Sequence, residues 1–262
     1  MATNKLKLCV FCDNQLTKEN RSREHIIPQW LLDFLEIREE AIQPTHFSSQ
    51  GHTNSTRHHT LDNLLAGQIC EKCNNGWMSR LEQEAIPILK SLIAGDRVVV
   101  DLNDTERQII GRCTAKTALT LNSASNYLKN IPSDHYKYTM TTAGSLPSGV
   151  FSFAQQHHGT RPFYWIQSPT WILNGNSDSL SVLGERLKDK SYKIAFQFGK
   201  LMLLIGYIPL DNIFPVLCRG IHIPLIPKTG KCGWYDIKEF PWHDSEKALM
   251  EFHFGLQATL ME

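Results

Sequence analysis

The sequence predicts an α+β protein in three parts: a small metal-stapled unit over residues 1–95, a helical connector over 96–131 and a β-rich unit over 132–262. Three observations carry this reading. Two Cys-x-x-Cys pairs, Cys9/Cys12 and Cys70/Cys73, flank a short stretch that also holds a Glu-His pair. Apolar residues between Trp77 and Leu121 recur at helical spacing. After Pro132 the texture changes to short apolar and aromatic runs separated by turn residues, which is strand patterning.

In the first part, residues 5–12 read as a short strand entering the first cysteine pair, and residues 13–20 are polar and turn-like. Residues 22–27 form a strand closed by Pro28, which has no backbone donor. A short helix follows over 29–37, with Trp30, Leu31, Phe34 and Leu35 on one side. Residues 43–62 are polar and hold His46, His52, His58 and His59. This stretch is a solvated excursion, a nucleic-acid-contacting loop or a second metal site; the four His lack ligand spacing beyond one adjacent pair, which favours the excursion. Residues 61–69 lead into the second cysteine pair.

A helix is expected over 74–94, with Trp77, Met78, Leu81, Ala85, Ile88, Leu89 and Leu92 on one apolar face. Pro87 should kink or break it about one turn earlier, and Gly95 should cap it. A second helix should run from Asp104 or Thr105 to about Tyr127, with Ile110, Cys113, Thr117 and Leu121 facing inward. In the third part, strands are expected over 136–140, 150–153, 163–166, 171–173, 192–198, 201–208 and 221–226, with a two-residue hairpin at Gly199-Lys200. A closing helix is expected over 244–254, capped by Asp244 and ended by Gly255.

The chain has 262 residues, of which 42% are hydrophobic, enough to bury a sizeable core. Seven cysteines, four of them in two pairs, suit a reducing cytoplasm better than a disulfide framework. Cys113, Cys218 and Cys232 are scattered and read as buried or inert. No secretory signal is expected at the start, and the apolar run 201–210 is too short to span a bilayer, which takes about 20 residues. Lys plus Arg against Asp plus Glu is 14 to 15 over residues 1–120 and 13 to 11 over 121–262. Neither half is a basic domain, so any nucleic-acid contact has to come from a local cluster such as Lys18, Arg21 and Arg23.

Two short Cys-x-x-Cys spacings set four thiolates within reach of one ion, the closed tetrahedral arrangement of a structural zinc site. Between them stands Arg23-Glu24-His25-Ile26-Ile27-Pro28, and directly after the fourth cysteine stand Asn74 and Asn75. A His titrates near neutrality and can take a proton from water. Glu24 and Asn74 offer the oxygen donors that Mg²⁺ prefers, whereas thiolates suit zinc, so two metals would sort by ligand type. Asn also caps helices well, so Asn74 has a purely structural reading beside this one.

The order Cys-x-x-Cys, Glu-His-Ile-Ile-Pro, Cys-x-x-Cys-Asn resembles the four-cysteine branch of the HNH endonucleases. The resemblance extends through Gly76-Trp77-Met78 and Leu81-Glu82 to about residue 120. It implies a ββα-metal fold with structural zinc on Cys9, Cys12, Cys70 and Cys73. It also implies His25 as general base, and a catalytic Mg²⁺ or Mn²⁺ held by Glu24 and Asn74. The family's usual acid before the His is Asp; Glu24 is one methylene longer and binds the ion directly, through water, or pairs instead with Arg21 or Arg23. Asn75 and Glu82 are further oxygen donors, and Asn63 stands near the position of the family's middle Asn. The implied activity is hydrolysis of DNA, with defence against foreign DNA as the associated role. The residues leave open an RNA-cleaving toxin of the same fold and a zinc-stapled nucleic-acid-binding module without catalysis. DNA is the expected partner, and the β-rich part is expected to serve recognition, or assembly with a second copy or another protein.

Overall fold

The computed structural model describes residues 6–47, 53–56, 58–125, 129–141, 146–159, 161–169, 171–174, 187, 190–226, 232–236, 249, 252–253 and 256–260. It is a mixed α+β chain with a β-rich C-terminal half, as its patterning requires. In the N-terminal part the regular strands are very short: β1 (Glu24–His25) pairs antiparallel with β6 (Leu65–Ala66). Between them lie α1 (Gln29–Phe34) and the strands β2 (Ala41–Ile42), β3 (Thr45–Phe47), β4 (Thr53–Thr56) and β5 (His59–Thr60). The polar 43–62 stretch is thus folded back as two small ribbons, β2 with β5 and β3 with β4. His52 lies outside the described residues.

The second cysteine pair opens a nearly continuous helical run. Cys70 is extended and precedes α2 (Glu71–Cys73), a π-turn follows over Asn74–Met78, and α3 (Ser79–Ala94) completes the run. The irregularity falls at Gly76, whose φ −93° and ψ −106° are non-helical. It does not fall near Pro87, which α3 carries inside it. Gly95 ends α3 in the left-handed conformation, φ 82°, donating back to Leu92. Next comes α4 (Asp104–Ala124). Its cap is Asn103 rather than Asp104: the Asn103 side chain accepts from the Glu106 N–H, and Glu106 returns the bond to the Asn103 N–H. Arg97 grips the same Glu106 through both oxygens.

Residues 133–140 depart from the strand expectation and form α5 (Ser133–Met140). Pro132, with φ −57°, sits at the helix entry, and His135, Tyr136 and Thr139 are the buried residues. Those three positions share one helical face, whereas a strand would have split His135 from Tyr136.

The β-rich half builds two sheets. The first orders β13 (Ile223–Ile226), β7 (Val150–Gln156), β11 (Leu201–Tyr207), β10 (Tyr192–Phe198) and β8 (Phe163–Ser168), all antiparallel. The second orders β14 (Gly233–Tyr235), β12 (Ile213–Cys218), β15 (Gln257–Leu260) and β9 (Ile172–Asn174). Strands β12, β14 and β15 carry no expectation from the sequence reading. In the closing segment, Leu249, Phe252 and His253 are helical and buried; Asp244 and Gly255 lie outside the described residues.

The first sheet is buried on both faces, and the period of two sorts its residues. Tyr192, Ile194, Phe196 and Phe198 of β10, with Leu201, Leu203 and Ile205 of β11, join a core that continues through α4 and α3 to Cys9 and Phe11. Ala195, Met202, Leu204, Phe151 and Phe153 face a second core against Ile213, Leu217 and Phe252. The N-terminal part and the first sheet therefore share one apolar core. The Gly199-Lys200 hairpin docks onto the end of α3, with the Lys200 N–H donating to the Ile93 carbonyl at 3.0 Å. Gly199 has φ 51°, and a Cβ there would stand 2.9 Å from the Ile93 oxygen. Gly111 brings α4 against β13: a Cβ would come within 2.6 Å of Ile226. Among the described residues no helix is long and apolar enough to cross a membrane.

Candidate functional site

Cys9, Cys12, Cys70 and Cys73 converge. Their sulfurs all lie within 4.8 Å of one another, with Cys9–Cys73 at 3.9 Å and Cys12–Cys70 at 3.6 Å. Four sulfurs around one zinc at about 2.3 Å stand about 3.8 Å apart, so the spacing and the all-thiol donor set fit such an ion. The local backbone explains the convergence. Asp13, in the left-handed region at φ 57°, donates back to the Cys9 carbonyl, curling the first pair. The Asn74 N–H returns to the Cys70 carbonyl, curling the second. Val10 N–H to Gln68 oxygen and the Cys70 N–H to Cys9 sulfur tie one curl to the other.

Contact with the Cys73 sulfur, helped by backbone N–H groups against the opposing effect of burial, brings the Cys9 thiol down to about 4. The same contact, with burial, pushes Cys73 up beyond the ordinary thiol range. Burial also raises Cys12. Four thiolates this close cannot all ionise without a cation among them, a role that a metal ion such as zinc could fill. Among the described residues these four are the His, Cys, Asp or Glu side chains grouped closely enough to share an ion.

The Glu-His pair lies on β1, where neighbouring side chains point to opposite faces. Glu24 turns inward and is 8% exposed. Its Oε1 accepts from the Lys116 ammonium of α4 at 2.5 Å, and the same ammonium donates to Glu82 Oε1 of α3 at 2.5 Å. Lys116 is fully buried. Burial works to lower its pKa, but Glu82 and Glu24 together outweigh that and raise it, so it stays charged. Glu24 thus pairs with Lys116 and not with its neighbours in sequence; Arg21 instead donates to the Gly67 carbonyl.

His25 faces the other way and keeps contact with water, its side chain 21% exposed. Its Nε2 lies 3.3 Å from the Gln29 side-chain nitrogen, at the first turn of α1, and 3.8 Å from Asp62 Oδ1. Asp62 is held by Arg38, which also binds Asp33. Asn63, next to it, turns instead to Thr60.

Asn74 does not open its helix: it follows α2 with helical φ and ψ, and its backbone N–H is taken by Cys70. Its side-chain nitrogen donates to Ser22 Oγ at 2.5 Å, across 52 positions of sequence. The carbonyl oxygen remains as its donor for a cation. Folding therefore sets Asn74 beside the strand bearing Glu24 and His25. The Glu24 carboxylate, however, is engaged by an internal ammonium, so Glu24 and Asn74 do not fit a divalent ion as a free pair.

Asp62, Gln29 and Lys116 were not singled out from the sequence. Asp62 adjoins Asn63 in a stretch that did draw notice, but a lysine mid-helix carries no local signal that it will be buried. Comparison with protein-family models, curated protein sequences and solved structures returns no match.

Proposed function

We propose that this protein is an endonuclease of the HNH type, acting on DNA phosphodiester bonds with His25 as general base and zinc on the four cysteines. The observation that supports it most is the placement of Asn74. Closing the cysteine cluster draws this residue onto Ser22, two positions ahead of β1 with its Glu24 and His25. The zinc-stapled HNH arrangement needs that convergence of base strand and post-cysteine Asn. A binding module stapled by zinc does not need it.

In this reading His25, partly exposed, accepts the proton of the attacking water. Asp62 Oδ1 stands 3.8 Å from the ring's Nε2. The Gln29 side-chain nitrogen flanks the same ring nitrogen at 3.3 Å. Ser22, itself buried, fixes the Asn74 amide and so directs its carbonyl oxygen. A divalent ion, when bound, would neutralise the charge that develops on the phosphate.

The test is incubation of the zinc-loaded protein with supercoiled plasmid and, separately, with structured and single-stranded RNA, each with Mg²⁺ or Mn²⁺ against EDTA. Nicked or linear plasmid only with the divalent ion is the expected result. Cleavage of RNA alone would make the chain a ribonuclease of the same chemistry, and binding without cutting would make it a zinc-stapled adaptor.

A further inference from the structure

The buried contact between Glu24, Glu82 and Lys116 joins three elements that are far apart in sequence. Lys116 stands 92 positions from Glu24 and 34 from Glu82, and its Nζ is 2.5 Å from one oxygen of each. Side-chain exposure is 0% for Lys116, 10% for Glu24 and 20% for Glu82. An ammonium is a compact point charge with three donors, and two of them are used here. A Mg²⁺ bridging the same two oxygens would sit about 2.1 Å from each, inside the space the nitrogen fills. The two cations therefore exclude each other.

We propose that Lys116 is a built-in cation of the candidate site: its ammonium takes the place between Glu24 and Glu82 that a divalent ion would occupy, and Glu24 is a positioning residue, not a ligand of the catalytic ion. Lys116 fixes β1 against α3 and α4 from its inner face, which sets the strand that presents His25 on its outer face. Any divalent ion is then held without the Glu24 carboxylate, with the Asn74 carbonyl oxygen as a candidate donor. The proposal rests on the nuclease reading only in calling that ion catalytic, so its test is ion binding and not cutting.

The experiment is Mn²⁺ titration of the full-length, zinc-loaded chain by electron paramagnetic resonance, for wild type, Glu24→Gln, Lys116→Met and the double variant. Glu24→Gln keeps an oxygen for Lys116, so it tests the idea without disturbing the ammonium. Expected are equal Mn²⁺ affinity in wild type and Glu24→Gln, and a new Mn²⁺ site in Lys116→Met that the double variant weakens by about tenfold or more. The new site should also raise the thermal midpoint of Lys116→Met as Mn²⁺ is added, a readout that holds even if that variant folds only with the ion. Wild-type Mn²⁺ binding weakened about tenfold by Glu24→Gln would overturn the proposal, as would a Lys116→Met protein that gains no site. Absence of nuclease activity would sink the enzymatic reading and leave both outcomes readable.

Discussion

Lys193 offers a stability test that depends on one buried nitrogen. It lies on β10, facing the second core, fully buried, and among the described residues its Nζ has no hydrogen-bond partner. It stands 4.5 Å from the centre of the Trp171 ring. Burial brings its pKa from the ordinary 10.5 down to about 7. Between those values the unfolded chain carries a proton here that the folded chain lacks. The fold therefore gains stability as pH rises from about 7 towards 10.5, and the penalty is complete below about pH 7. At about 1.4 kcal/mol per pH unit, the penalty is on the order of 4 kcal/mol at pH 7 and under about 1 kcal/mol at pH 10. Lys193→Met keeps the volume and removes the amine. Urea denaturation of both proteins, with zinc present, should show the variant more stable by several kcal/mol at pH 7, with the gain nearly gone at pH 10. A variant less stable at pH 7, or a gain that does not change with pH, would refute the reasoning.

Three further outcomes follow from the fold and the site. Removing the metal with a strong chelator, or replacing Cys70 with Ser, should collapse the N-terminal half, because a zinc site of this kind contributes on the order of 10 kcal/mol; circular dichroism and elemental analysis of the same samples check this. Asn74→Ala should cost cleavage about 10²-fold at low Mg²⁺ with partial rescue at high Mn²⁺, while Asn74→Asp retains metal-dependent cutting; rates against ion concentration separate the two. Truncation after residue 131 should give an insoluble or unfolded product, since Gly111 and the rest of α4 lose the cover of Leu225 and Ile226; expression and sedimentation decide it.

The cysteine spacing made the four-cysteine cluster legible, since two local curls need only one long-range closure to meet. The α4 core face, Ile110 to Leu121, was equally legible, as was the Gly199-Lys200 hairpin, where Phe198 pairs with Leu201. Each depends on nearby residues. Strand β12 was not legible, because Pro215 interrupts a short apolar run that pairing with β15 and β14 stabilises from outside. Residues 136–140 misled because aromatic and β-branched side chains favour strands, while the helix there is set by burial of His135 against Tyr192. The same limit applies at the site. Glu24, His25 and Asn74 stood out by type and order, but Lys116 closes on Glu24 across 92 positions, and no local pattern announces such a contact.

The most direct measurement is plasmid cleavage by zinc-loaded wild type and His25→Ala in Mg²⁺ or Mn²⁺. Among the described residues the His25 ring makes polar contacts with Gln29 and Asp62 alone, so the variant should keep its fold and the four-cysteine cluster. Its cleavage rate should fall on the order of 10²–10⁴-fold, the loss expected for a general base. A folded His25→Ala protein that cuts as fast as wild type would show that His25 is not the base and would contradict the nuclease site described here.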